Sequence, residues 1–161
     1  MTSPHRLITT RNEFHQALRD GFAEIASVGC REVWICDDDF ADWPLNERAV
    51  VESLTQWAQS HRKLTVIART FEEFPLRHAR WVEWRRDWSH VVECRALEEA
   101  EAGEMPTLLL APGVLTLRMF DMIHHRGNLS HDPADAVQMR ELVDVLSQRS
   151  IEAFPATQLG L

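Results

Sequence analysis

The sequence predicts an α/β fold: a single domain with a mixed sheet of about five strands, a parallel portion, a C-terminal antiparallel hairpin and flanking helices. Three observations predict it. Helix-like and strand-like segments alternate over residues 11–95, the order of parallel crossover units. The strand-like segments 33–36 and 64–68 are continuous apolar runs, as strands covered on both faces are. Residues 107–111 and 114–118 flank Pro112-Gly113, whose dihedral preferences suit a tight turn between antiparallel neighbours.

The first helix is expected over residues 11–28. Thr10 with Glu13 makes a capping box, Phe14, Leu18, Phe22 and Ile25 recur at helical spacing, and Gly29 supplies the stop. A strand over 32–36 follows, then a loop over 37–46. Val50, Leu54, Trp57 and Ala58 share one face of the next helix, and 64–68 is the next strand. Helix, strand, helix, strand predicts a parallel pair with a right-handed crossover. Beyond Phe74-Pro75, residues 76–88 read as a helix carrying Trp81, Trp84 and Trp88 on one stripe, and 90–95 as a third strand. An acidic linker, 97–105, leads to the hairpin. Asp132 as N-cap, Pro133 at the first helical position and Asp135 in the first turn open a last helix, with Met139, Leu142, Val143 and Leu146 facing the core.

Composition narrows the function. With 161 residues, 45% hydrophobic and 26% charged, the chain fits one domain around one core. No stretch approaches the roughly 20 apolar residues of a membrane helix, and Met1-Thr2-Ser3-Pro4-His5-Arg6 lacks the apolar core of a leader, so a cytoplasmic protein is expected. Cys30, Cys36 and Cys94 fit no zinc pattern and read as reduced, buried thiols. Against 25 Asp and Glu stand 17 Lys and Arg, a net charge of -8 that argues against broad nucleic-acid binding and leaves room only for a local basic patch.

Three groups of residues carry candidate chemistry. Asp37, Asp38, Asp39 and Asp42 follow the first buried strand, where α/β sheets bind ligands; close carboxylates suit Mg²⁺, and they also suit a solvated turn. Asp121, His124, His125, His131 and Asp132 combine imidazole and carboxylate as zinc sites do, against the alternative of a polar loop with one capping Asp. Trp81, Trp84 and Trp88 lie among Arg77, Arg80, Arg85 and Arg86, which suits either a stacking surface for an anionic ligand or a core or interface stripe. Phosphate-cradling glycine loops and the Gly-x-Ser-x-Gly elbow are absent from the sequence.

Two apolar strands around Pro112-Gly113, preceded by strand-helix-strand-helix-strand and followed by a helix, resemble one half of the phospholipase D superfamily. That family's signature is His-x-Lys, a following Asp and a later Gly-Ser pair. With Pro112-Gly113 at the family's turn, Met105 stands at the His position, Thr107 at the Lys position, Pro112 at the Asp position and Met119-Phe120 at the Gly-Ser pair. Methionine and threonine can neither attack phosphorus nor hold phosphate oxygens. The resemblance therefore implies a degenerate single-half domain of bacterial type, without turnover, that dimerises as the family's halves do.

The expected function is that of a catalytically inactive binding or interaction module with no cofactor. Its ligand residues are Asp37, Asp39, Asp42, Arg77, Arg80 and Trp84. Its expected partners are a second copy and a protein or small ligand, with no membrane and with nucleic acid set aside. The alternative is a metal-dependent phosphatase or nuclease holding Mg²⁺ on Asp37 and Asp39, with a loop histidine as acid or base.

Overall fold

The computed structural model describes residues 5–59 and 61–155, so the opening segment Met1 to Pro4, read as no leader, lies outside the described residues. One mixed sheet runs through them, in the order β1-β7-β6-β5-β2-β3-β4-β8. Its strands are β1 (His5–Ile8), β2 (Glu32–Asp37), β3 (Lys63–Ala68), β4 (Val92–Ala96), β5 (Thr107–Ala111), β6 (Leu115–Asp121), β7 (Arg126–Ser130) and β8 (Ile151–Glu152). The helices are α1 (Arg11–Val28), α2 (Arg48–Trp57), α3 (Phe74–Arg77), α4 (Ala79–Asp87) and α5 (Pro133–Arg149).

The expectation of about five strands is corrected to eight. The three additions lie at or beside the sheet's edges. β1 is a four-residue edge strand, mostly exposed, and β8 has two residues, so neither presents a long alternating apolar run. β7 reads Arg-Gly-Asn-Leu-Ser, and its only large apolar side chain is Leu129. What makes it a strand is pairing with β1 on one side and β6 on the other, not local propensity.

β2 pairs in parallel with β3 and antiparallel with β5, which completes the expected parallel portion and hairpin. Its side chains alternate between two cores. Val33 and Ile35 join Phe14, Phe22, Val50, Trp57 and Trp81 from α1, α2 and α4; Trp34 and Cys36 join Met139, Val143 and Leu146 from α5. This explains the unbroken apolar run: both faces of the strand are covered, so no position is left for a polar residue.

The helix expected over 76–88 is broken at His78. Pro75 opens the short α3, and His78 turns inward (φ −127°, ψ 42°), where its Nε2–H donates to the Phe40 carbonyl at 2.7 Å. Burial lowers its pKa, keeping the ring neutral in that role. α1 keeps its predicted bounds. The Glu13 N–H donates to the Thr10 hydroxyl at 3.0 Å, while the Glu13 carboxylate reaches back to the Thr9 N–H at 3.1 Å.

Gly127 is set by close approach. Opposite it β6 is irregular between Met119 and Asp121, leaving Phe120 without a partner across the ladder, and a Cβ on Gly127 would lie 2.4 Å from the Arg118 carbonyl oxygen. No side chain fits without moving that backbone. We expect Gly127→Ala to cost at least about 2 kcal/mol, read as a lower urea midpoint at unchanged slope.

Candidate functional site

At β2 the sheet changes from parallel to antiparallel, and α/β folds place ligands in the crevice outside such a strand's carboxyl end. A cleft of about 680 Å³ opens there. The loop carrying Asp37, Asp38, Asp39 and Asp42 forms one wall, and Met105 and Thr107 lie at the start of β5. Arg118, Met119 and Phe120 close β6, while Leu142, Leu146 and Arg149 come from the end of α5.

The carboxylates of this loop are already engaged. Asp37 is 6% exposed; it accepts the Phe40 N–H at 2.8 Å and the Thr107 hydroxyl. Burial raises its pKa, against the opposing pull of those two hydrogen bonds. Asp38 takes Nε and Nη2 of Arg69 at 2.9 and 3.1 Å, and this guanidinium holds it below the usual carboxylate range. Asp39 accepts the Ala41 N–H at 2.9 Å, an Asx turn. Asp42 takes Arg11 at 2.7 Å and His125 at 3.0 Å, while His15 donates to its carbonyl at 2.6 Å. Burial works to raise the Asp42 pKa, and the hydrogen bonds from His125 and Arg11 outweigh it, for a net lowering.

The expected ligand set therefore divides. Asp37, Asp39 and Asp42 line the cleft, but among the described residues Asp37 and Asp39 do not gather a third donor around an ion-sized space. Arg77 is spent on Glu73 at 2.6 Å, and Arg80 donates to the Asn46 carbonyl at 2.8 Å. Trp84, 6% exposed and 6.1 Å from Trp81, belongs to the core, so it cannot stack on a base. Trp81 and Trp84 thus follow the core alternative for the stripe, while Trp88 is half-buried. The second predicted group disperses: His124 pairs with Asp121, His125 with Asp42 and His131 with Glu24, while Asp132 caps α5.

The opposite edge of the sheet has the other sign. Around the amino ends of β3 and β4 a cleft of about 560 Å³ is lined by His61, Arg62, Lys63, Arg85, Ser89 and His90, with Glu93 and Glu152 as its acids. Lys63 is about half exposed and lies 3.5 Å from Glu93; Arg31, also exposed, precedes β2. Arg85 is 6% exposed: Nη1 donates to the Phe154 carbonyl, its guanidinium sits 5.3 Å from the centre of the Phe154 ring, and Nε has no partner among the described residues. A buried guanidinium N–H left unpaired is costly. Sequence reasoning passed over this edge. The signal was His61-Arg62-Lys63, three basic residues directly before an apolar strand.

No protein-family model matches the chain, and no curated protein does. Among solved structures it is similar to TrmBL2, an archaeal chromatin protein described as showing a novel mode of DNA binding, with a TM-score of 0.67 at 8% identity. The match covers 95% of this chain and 54% of that one, so the chain spans about half the length of TrmBL2. The likeness is one of fold, and the matched protein being archaeal lends no support to a bacterial type. It also overturns two expectations. A fold shared with a DNA-binding protein speaks against the protein interaction module and against setting nucleic acid aside. No helix among the described residues is long and apolar enough to cross a membrane.

The buried Asp37 gives a pH test. A carboxyl whose pKa is raised by folding binds its proton more tightly in the native state. Its contribution to stability is fully present below the unfolded pKa of 3.8 and is lost as pH rises from there through the raised native value. Asp37→Asn keeps an acceptor for the Phe40 N–H and does not ionise. We expect the variant to gain stability relative to the parent as pH rises from about 4 to 7, read as diverging urea midpoints; parallel midpoints would show that burial does not govern this carboxyl.

Proposed function

We propose that this chain binds nucleic acid, duplex DNA in the first place, along the amino edge of its parallel strands. The observation that carries this reading is the basic lining of the amino-edge cleft, where His61, Arg62, Lys63 and His90 come together at the starts of β3 and β4. The likeness to a DNA-binding chromatin protein supports DNA as the polyanion, through the shared fold. Net charge of -8 shapes how such binding works. A chain that DNA repels overall makes contact through a few short-range charge-assisted hydrogen bonds, without long-range steering. Affinity is then modest and salt-sensitive, with a slope corresponding to few phosphates.

We also keep the single-half phospholipase D-like scaffold as our reading of descent, supported by the element order around the β5–β6 turn. A cytoplasmic setting is supported by three free cysteines, two of them buried with thiol pKa values pushed up, Cys94 to about 12.

The test is fluorescence anisotropy of a short labelled duplex titrated at several salt concentrations. Expected is saturable binding at about 0.05 M salt, weakened roughly tenfold by Lys63→Glu, with the log–log salt slope reduced by about 1 in Lys63→Ala. Absence of binding at low salt would overturn the proposal, and so would Lys63→Glu and Arg62→Glu variants that bind as the parent does.

A further inference from the structure

A third cluster of side chains, remote in sequence from the acidic loop, has the donor set of a metal site. β1 pairs antiparallel with β7 in a register that puts His5 opposite Ser130, and Ser130 leads within two residues to Asp132, the N-cap of α5. Asp135 lies in the first turn of that helix. One donor atom from each of His5, Asp132 and Asp135 lies within 4.8 Å of the other two. We propose that these three residues bind a divalent first-row transition ion, zinc first among them.

The donor chemistry sets the class of ion. One imidazole nitrogen with two carboxylate oxygens suits zinc and its neighbours, whereas Mg²⁺ and Ca²⁺ favour all-oxygen sets. Metal–donor bonds of about 2.1 Å put tetrahedral donors about 3.4 Å apart, so the three atoms need to draw together by at most about 1.4 Å, within the reach of two exposed side chains and one half-buried one.

Each carboxylate has one oxygen held by a bond of its own. Asp132 Oδ1 accepts the Ala134 N–H at 3.0 Å, and Asp135 Oδ2 accepts the Ser130 hydroxyl at 2.5 Å. Ser130 in turn accepts the Asp132 N–H at 3.0 Å. Metal ligands are typically held by such outer bonds. Helix capping accounts for Asp132 alone, and the β1–β7 register brings an imidazole to the same point from a different strand. With three protein donors, the remaining coordination positions go to water or to an external ligand. The ion ties the edge strand β1 to the start of α5 and offsets the like charges of Asp132 and Asp135.

Untagged protein, freed of metal by chelator, is titrated with Zn²⁺ by calorimetry, and with Co²⁺, whose visible spectrum reports nitrogen and oxygen ligation. Expected is one saturable site whose affinity falls at least tenfold in His5→Gln, Asp135→Asn and Asp132→Asn. The last keeps the helix cap, since Asn caps as well as Asp, so its effect reads ligation and not folding. His124→Ala, which alters the exposed pair with Asp121, leaves binding unchanged. The proposal is overturned by the absence of saturable binding, by three variants that bind as the parent does, or by equal loss in His124→Ala.

Discussion

Everything in this fold is arranged around β2, because that strand has sheet neighbours of opposite sense on its two sides and helices over both faces. Its backbone groups are taken by β3 and β5, and its side chains alternate between the α1–α2–α4 core and the α5 core. A strand so enclosed has no position for a charged residue until it leaves the sheet. Asp37 comes at that exit while still buried, and the chain meets the cost with two donors, the Phe40 N–H and the Thr107 hydroxyl. The rest of the acidic loop follows from this anchor. Asp38 ties back to Arg69 just beyond β3, and Asp42 ties forward to Arg11 on α1 and to His125 in the β6–β7 turn.

How much of this was legible in the sequence depends on how much of each element's stability is local. α1 was readable to the residue because its cap, its apolar stripe and its terminating Gly29 all lie within it. β2, β3 and the hairpin were readable because strands buried on both faces, and a Pro-Gly turn, leave plain marks. β1, β7 and β8 were not, since their pairing partners are distant in sequence and their own residues are polar or few. The split of the tryptophan helix was hidden for a related reason: His78 breaks it to reach a carbonyl 38 residues earlier in the chain.

The site was harder to read than the fold, because charge in a sequence carries no geometry. Three consecutive aspartates look like an open cation site, yet each has a separate task in closing its own loop. The bases were misread in the opposite direction. A total of -8 averages over two edges, and only the topology shows that His61, Arg62, Lys63 and His90 gather at one end of the parallel strands while the aspartates gather at the other. Net charge governs long-range attraction; what a surface grips is decided by where its cations gather.

Thr107 shows why the carboxyl edge is the less promising end. In the half-phospholipase alignment it occupies the position of the phosphate-binding lysine, and here it is 4% exposed, with its hydroxyl spent on Asp37. Met105, at the histidine position, is buried against Leu108, Leu110 and the α5 side chains. A lysine at 107 would have to bury its charge or displace the bond that satisfies Asp37, and a histidine at 105 would put a polar ring into an apolar cluster. At both positions the carboxyl edge is therefore structural, filled by side chains that pack or hold Asp37. The groups proposed to bind lie elsewhere, in the bases of the amino edge and in the His5, Asp132 and Asp135 donors beside the start of α5. There an anion or a cation would meet charged groups near solvent, whereas at the carboxyl edge Asp37, Asp38 and Asp42 are already engaged within the fold.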